Sequence, residues 1–203
     1  MRTFSFSVQE IREIAAAAFV LAFVFGYPFA GSVGLSGFAF DLMVIFVILS
    51  PAFILHELSH KLMAQSYGCW SEFRLWKEGL FFSLLMKFLV PNSNFVFAAP
   101  GATYFSPYIG GLPHLKIRKE QEAKISLAGP MMNVMVALFF LALVPVIGDL
   151  GVLTARMNLQ FAFFNMLPIW PLDGSKVASW NFWLWLGVSG GIMLMQGALS
   201  VLF

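Results

Sequence analysis

Charged residues are scarce in this chain of 203 residues, since Asp, Glu, Lys and Arg together make up only 11% of it. Soluble proteins usually carry about 25% charged residues. Apolar residues account for 60% of the chain, and Phe alone contributes 24 residues. This composition excludes an ordinary water-soluble domain and indicates a protein that lies in a membrane.

Cysteine is also nearly absent. Cys69 is the only one, which excludes an intrachain disulfide and any zinc or iron–sulfur site built from several cysteines of this chain. The formal charge of +2 is small and the basic residues are dispersed, so we expect no nucleic-acid binding. The abundant Phe and Met residues predict lipid-facing surface and core, and we expect no soluble cofactor.

Long stretches without charge define five candidate membrane spans. A span needs about 20 mostly apolar residues to cross about 30 Å of hydrocarbon. This length therefore holds five or six spans and leaves no room for a separate soluble domain. We predict an all-α polytopic membrane protein, a single domain over residues 1–203, with a small membrane-embedded β hairpin or sheet. The predicted spans cover residues 14–30, 41–67, 125–147, 152–169 and 180–203.

The segment 69–113 is apolar but interrupted by prolines and glycines. Residues 72–75 and 95–97 resemble strand fragments, whereas 80–90 fits an amphipathic surface helix about as well as a strand. Non-helical backbone survives at membrane depth only where protein buries it or where it lines a wet cavity. We therefore expect this segment to be partly submerged against the helices. Residues 3–8 alternate polar and apolar side chains, which predicts a short N-terminal strand.

The basic residues favour one orientation across the membrane. With five spans, every Lys and Arg except Arg156 falls on the same side. The positive-inside rule then places the N-terminus in the cytoplasm and the C-terminus outside. We expect an integral protein of the plasma membrane.

The second predicted span contains the pattern HExxH, formed by His56, Glu57 and His60. Histidines four residues apart share one face of a helix and can bind one zinc ion, and the intervening Glu can reach a water on the metal. Ionisable side chains within a span are costly unless they bind something or face a polar cavity. We therefore favour a metal site over the alternative, a structural cluster of polar side chains.

A catalytic zinc usually takes three protein ligands and leaves a position for water, so the HExxH pattern requires one more donor. Besides a few loop acids, the available groups are His114, Asp41, Asp149 and Asp173.

Asp173 is favoured because it follows the fourth predicted span. That span runs inward like the second, so Asp173 can lie at the depth of His60. Pro168 and Pro171 break the helix before it, and Gly174 permits a sharp turn that would aim the carboxylate inward. The alternative role is capping of the segment 175–180.

Two segments together resemble a known family. The HELSH pattern at 56–60 and the NMLPIWPLDG segment at 165–174 are similar to the paired HExxH and NxxPxxPLDG motifs of the site-2 protease family of intramembrane zinc metalloproteases. The AGPMMN segment at 128–133 also resembles the family's AGPxxN segment. The resemblance covers residues 41–176. Many members of the family carry an appended PDZ or CBS domain, and since this length leaves no room for either, we expect a compact form.

The resemblance assigns roles residue by residue. It implies one zinc ion per chain, held by three ligands: His56, His60 and Asp173. It makes Glu57 the general base. It also maps the motif asparagine onto Asn165, which we expect to donate to the peptide oxygen as it becomes an oxyanion, with hydrogen bonding between helices as the alternative. For Asn133 we rank bonding between helices first and substrate binding second.

These features predict an intramembrane zinc metalloprotease with its active site towards the cytoplasmic side. The expected partners are the lipid bilayer and a single-pass transmembrane protein, whose helix must unwind before a peptide bond can be cut. The family implies that an edge strand holds the unwound segment, with 69–105 and 3–8 as candidates. Two alternatives stay open: a zinc transporter or channel, since intramembrane His and Asp also mark ion pathways, and a catalytically silent binder of transmembrane segments.

Overall fold

The computed structural model of the chain describes residues 6–26, 34–89, 100–106, 108–109, 112–113 and 117–203. Helices dominate these residues, and the strands among them are short. In chain order the elements are α1 (Val8–Gly26), α2 (Gly34–Ser66), β1 (Trp70–Leu75), α3 (Lys77–Leu89), β2 (Gly101–Ser106), β3 (Tyr108–Ile109), β4 (Leu112–Pro113), α4 (Lys119–Ala142), α5 (Val144–Ile147), α6 (Asp149–Asn165), α7 (Asp173–Trp180) and α8 (Phe182–Leu202).

Three helices of the described residues are long and apolar enough to cross a membrane. They are Leu42–Ser66 within α2, Lys119–Ala142 and Phe182–Leu202, and they match the predicted spans 41–67, 125–147 and 180–203. The predicted span 14–30 coincides with α1 over its described part, and 152–169 coincides largely with α6, which has 17 residues. The protein is thus a helical membrane protein, and a total of five or six spans stays a prediction.

The segment 69–113 contains both strands and a helix. β1 confirms the strand predicted at 72–75, and it pairs with β2 in a two-stranded sheet. Of the segment 80–90, residues 80–89 are described and are helical, because α3 runs from Lys77 to Leu89. β3 and β4 form a second antiparallel pair. The strand predicted at 95–97 lies outside the described residues.

The strand predicted at 3–8 is wrong where the structure describes it, because Val8 already begins α1. The Ser7 hydroxyl accepts a hydrogen bond from the Glu10 backbone N–H at 3.0 Å, which is the contact made by a helix N-cap. A serine three residues before a glutamate is itself a helix-start pattern. That pattern outweighs a brief alternation of polar and apolar residues. Residues 3–5 lie outside the described residues.

The chain divides into two compact units. Unit 1 comprises Met1–Ile54 and Ser71–Phe105, and unit 2 comprises Leu55–Trp70 and Ser106–Phe203. Helix α2 therefore contributes its first part to unit 1 and its last part to unit 2. In unit 1, α1 packs against α3, with the rings of Phe23 and Phe88 6.2 Å apart.

Two carboxylates of α1 bond the backbone of β1 within unit 1. Glu10 Oε1 accepts the N–H of Phe73 at 3.1 Å. Glu13 Oε2 accepts the N–H of Leu75 at 2.8 Å. The N–H of Trp76 bonds instead to a carbonyl just before β2, and successive N–H groups of a strand point to opposite edges. The two carboxylates therefore occupy the edge of β1 that faces away from β2.

Helices α4, α6, α7 and α8 pack together in unit 2. Their core includes small side chains, among them Ala137, Ala155 and Ala162, each 0% exposed. Gly151 also brings helices close, since a Cβ there would lie 2.9 Å from the carbonyl oxygen of Phe140. Small residues allow helix backbones to approach in membranes, where packing drives association. This close packing holds the site described below.

Candidate metal centre

The last part of α2 carries His56 and His60 on one buried face. Their exposed fractions are 1% and 5%, and their Nε2 atoms lie 3.0 Å apart. Residues four apart on an α-helix are neighbours on its surface, so the HExxH spacing produces this proximity as predicted. The ring of Phe161 packs edge-on against His56 at 5.1 Å and covers the site from α6.

Asp173, the first residue of α7, brings a carboxylate to the two imidazoles. Its Oδ2 lies 3.3 Å from His56 Nε2 and 3.1 Å from His60 Nε2. One ligand atom from each of the three residues lies within 4.8 Å of the others. The structure therefore brings together the three residues that the sequence predicted as ligands.

The connection between α6 and α7 sets the position of Asp173. Gly174 follows it, and a Cβ at Gly174 would collide with the backbone carbonyl of Met166. The same carbonyl accepts the indole N–H of Trp185 at 2.7 Å, which ties the connection to α8.

The structure gives the physical reason for a glycine at position 174. Among the described residues the glycines with positive φ are Gly68 and Gly148, and Gly174 lies within the helix α7. A glycine is therefore required at this position for close approach to the preceding turn, and not for a special backbone conformation.

Helix α4 supplies a hydrogen-bond acceptor to the outer nitrogen of each histidine. His60 Nδ1 lies 2.7 Å from the backbone carbonyl oxygen of Ile125, and His56 Nδ1 lies 2.6 Å from Asn133 Oδ1. A carbonyl oxygen can only accept a hydrogen bond. Each Nδ1 therefore carries the hydrogen, and in the neutral imidazole the lone pair is left on Nε2.

Three lone-pair atoms thus converge, the two Nε2 atoms and the carboxylate Oδ2, with no hydrogen to share among neutral imidazoles. Such a group repels itself unless a positive charge lies between its members, and two imidazoles with one carboxylate are a usual ligand set for zinc. Gly129 of α4 leaves the space for that charge, since a Cβ there would lie 2.5 Å from His60 Nε2 and 2.6 Å from His56 Nε2. The residues present therefore fit a metal ion.

The other predicted site residues lie in the same unit. Glu57 follows His56 and is 7% exposed, and its carboxylate interacts electrostatically with His60. Asn165 ends α6, where its side-chain N–H donates to the carbonyl of Phe161 at 3.0 Å. It is not part of the converging group.

Two neighbours of the group, Lys176 and Asn158, were not predicted from the sequence. Lys176 lies three residues after Asp173, with its Nζ 4.0 Å from Asp173 Oδ1, and the i, i+3 spacing could have revealed it. Burial alone would raise the pKa of Asp173, but the imidazoles of His60 and His56, in the form that carries an added proton, outweigh burial and hold that pKa below its usual range. A positive charge beside the carboxylate, from a proton or from a metal ion, therefore keeps Asp173 ionised, as a metal ligand must be.

Comparisons with known proteins agree with this chemistry. The chain is 37% identical, over 100% of both sequences, to a Methanocaldococcus jannaschii protein named "Putative zinc metalloprotease MJ0611". It is 27% identical to another protein of that organism, "Zinc metalloprotease MJ0392", over 66% of this chain and 33% of that protein. No family model matches the chain. No solved structure matches it significantly.

Proposed function

Because this chain belongs to the zinc metalloprotease family of its full-length Methanocaldococcus jannaschii relative, we propose that it is an intramembrane protease that cleaves membrane proteins. Its cofactor is zinc. The proposal extends to the whole chain, residues 1–203, as one proteolytic domain of the site-2 type.

The observation that carries the proposal is the convergence of His56 Nε2, His60 Nε2 and Asp173 Oδ2, all within 4.8 Å of one another. Three protein ligands leave a fourth position open for water or substrate, as catalytic zinc sites require. A purely structural zinc site is usually closed by four protein ligands. The donor set therefore favours catalysis.

The residues of the chain divide the chemistry among them. Bound zinc supplies Lewis acidity, which polarises a carbonyl oxygen and makes water acidic near pH 7. The carboxylate of Glu57 is proposed to accept a proton from the attacking water and then to donate that proton to the leaving nitrogen. Asn165 is proposed to turn its amide from the Phe161 carbonyl and to donate to the peptide oxygen as negative charge develops there.

The proposed substrate is a single transmembrane helix that unwinds locally, because its peptide bonds are otherwise shielded by intrahelical hydrogen bonds. We place the active site towards the cytoplasmic side of the plasma membrane, with the N-terminus inside and the C-terminus outside, from the distribution of Lys and Arg. Strand addition would hold the unwound segment. In unit 1 the edge of β1 away from β2 is not available for it, since Glu10 and Glu13 already bond that edge.

Zinc content tests the metal site without a known substrate. We expect about one zinc per chain in the detergent-purified protein, and loss of zinc in both His56→Ala and Asp173→Ala. His114→Ala is the matched control, since it removes the third histidine of the chain, which lies outside both motifs. Folded wild type without zinc, or unchanged zinc in Asp173→Ala, would contradict the proposed ligands.

Cleavage tests the enzyme. Fluorogenic peptides, each spanning one membrane helix, would be incorporated in vesicles with the protein. Wild type should cleave some of them, and Glu57→Gln should retain zinc yet lose cleavage. Zinc uptake into the vesicles without any cleavage would indicate a transporter. Binding of the peptides without cleavage would indicate a silent relative.

A further inference from the structure

Two asparagines lie side by side at the centre of unit 2. Asn133 of α4 and Asn158 of α6 are both 0% exposed. Asn133 Nδ2 donates to Asn158 Oδ1 at 3.1 Å, and Asn158 Nδ2 donates to the backbone carbonyl of Thr154 at 2.9 Å. A buried amide in a membrane helix is costly unless its polar atoms are bonded, and this pair extends directly to the metal site.

The Thr154 carbonyl fixes the donor and the acceptor in each of these hydrogen bonds. The Thr154 carbonyl can only accept, so Asn158 must present its NH₂ group to it. Asn158 Oδ1 then faces Asn133 and accepts from Asn133 Nδ2. Asn133 is left with its oxygen towards His56 at 2.6 Å, so the His56 Nδ1 must donate.

We propose that Asn158 is a positioning residue of the metal centre: acting through Asn133, it holds His56 in the tautomer whose Nε2 lone pair faces Asp173 and His60. This inference rests on the proposed metal site. Within the described residues the side chain of Asn158 bonds to Asn133 and to the Thr154 carbonyl, and not to a ligand residue, so its effect passes through the hydrogen bond to Asn133. Hydrogen-bond partners of this kind fix the tautomer and orientation of metal-binding histidines.

The two amide orientations of Asn133 have opposite consequences. Loss of the acceptor at position 158 removes a bond that holds the NH₂ group of Asn133 away from His56, so the orientation that presents this NH₂ group to His56 becomes less unfavourable. That orientation favours a hydrogen on Nε2 of His56, which points into the space left by Gly129. His60 has no such alternative at Nδ1, because its partner, the backbone carbonyl of Ile125, cannot become a donor.

Zinc affinity of the full chain is the first measurement, by competition with a chelator in detergent. Asn158→Leu keeps the approximate shape and removes both bonds, and we expect about 10- to 100-fold weaker zinc binding. Asn158→Asp should restore most of the affinity, because a protonated aspartate at this buried position can donate its O–H to the Thr154 carbonyl and accept from Asn133 through its other oxygen. Thr154→Val is the matched control one turn away, since it removes a buried hydroxyl and keeps the carbonyl that anchors Asn158.

Histidine-selective ¹⁵N NMR of zinc-free protein, at a pH where the imidazoles are neutral, gives a readout that general loosening would not reproduce. The chain has three histidines, so signals can be assigned with single variants. In wild type, His56 should carry its hydrogen on Nδ1. In Asn158→Leu its signals should shift towards the other tautomer, while those of His60 stay unchanged.

Two outcomes would overturn the inference. One is unchanged zinc affinity and unchanged His56 signals in Asn158→Leu. The other is an equal shift of both histidines together with equal loss in Thr154→Val, which would mark Asn158 as a packing residue. Including His56→Ala in the titration separates the two proposals, because unchanged zinc binding there contradicts the metal site itself, whereas the NMR readout still tests the role of Asn158.

Discussion

Unit 1 and unit 2 each hold acidic side chains near the start of a helix, and the two units give these side chains opposite kinds of partner. In unit 1, the carboxylates of Glu10 and Glu13 accept hydrogen bonds from backbone N–H groups of β1. In unit 2, the carboxylate of Asp173 faces two nitrogen atoms that, in neutral imidazoles fixed by α4, offer lone pairs only. The first arrangement is satisfied by the chain alone, and the second requires an added positive charge.

This difference shows that burial of an ionisable group does not by itself mark a functional site in a membrane protein. Glu10 is 1% exposed, yet it completes the hydrogen bonding of a strand. The donor and acceptor character of the neighbouring atoms separates the two cases, because acceptors that face only acceptors have no stable arrangement without a cation or a proton.

The strongest way to break the comparison is to fill the space between the histidines. Gly129→Ala places a Cβ 2.5 to 2.6 Å from both Nε2 atoms, so we expect loss of zinc binding measured as zinc per chain. Alanine favours helices more than glycine does, so α4 itself should persist. Gly190→Ala in α8 is the matched control, since a Cβ there has no atom within 4 Å. Full zinc content in Gly129→Ala would disprove the position inferred for the metal.

A smaller effect is expected from the structural carboxylate of unit 1. Glu10→Ala leaves the buried N–H of Phe73 without its acceptor, which should cost about 1 to 3 kcal/mol in the free energy of unfolding. Zinc per chain should not change. Glu10→Gln keeps an oxygen for Phe73 and should recover much of the loss. Thermal unfolding in detergent measures the stability of both variants. Loss of zinc in Glu10→Ala would contradict a purely structural role for this carboxylate.

The smallest effect concerns pH. The hydrogen bond from the N–H of Leu75 is the main cause that lowers the pKa of Glu13 below its ordinary value of 4.5. A carboxylate whose pKa is lower in the folded state than in the unfolded state stabilises the fold above the pKa of the unfolded state. This stabilisation is lost as the pH falls through the pKa of the folded state. The unfolding temperature should therefore decrease as the pH is lowered below about 5. The decrease should be smaller in Glu13→Gln. Asp173→Ala as the background removes the contribution of zinc release, and equal slopes with and without Glu13 would contradict the assignment.

The proximity of the three proposed ligands could be predicted because each is marked by a local pattern in the sequence. His56 and His60 share a helix face by spacing alone, and Asp173 is marked by the prolines before it. Of the two acceptors on α4, Asn133 was predicted to bond between helices, but its bond to His56 follows from no such pattern. A backbone carbonyl such as that of Ile125 has no sequence signal, and a lone Asn158 in an apolar helix does not reveal which neighbour it bonds.

The fold was predictable where hydropathy dominates and less so elsewhere. The three longest apolar helices match predicted spans because each is a long run with few charges. The start of α1 was missed because Ser7 and Glu10 form a cap that competes with a brief strand pattern. The carboxylates of α1 on the edge of β1 depend on contacts between residues about 60 positions apart, as between Glu10 and Phe73, which local periodicity does not encode.

Helix α4 contacts the site through residues 125, 129 and 133, which are spaced at intervals of four. One helix face thereby supplies an acceptor for His60, a glycine without a side chain beside both Nε2 atoms, and an acceptor for His56. An α-helix turns by about 100° per residue, so inserting or deleting one residue within this stretch would rotate part of the set away from the histidines. The affinity of the site for zinc therefore depends on the rotation of α4 about its axis, and a zinc measurement tests whether that helix is packed in its native rotation.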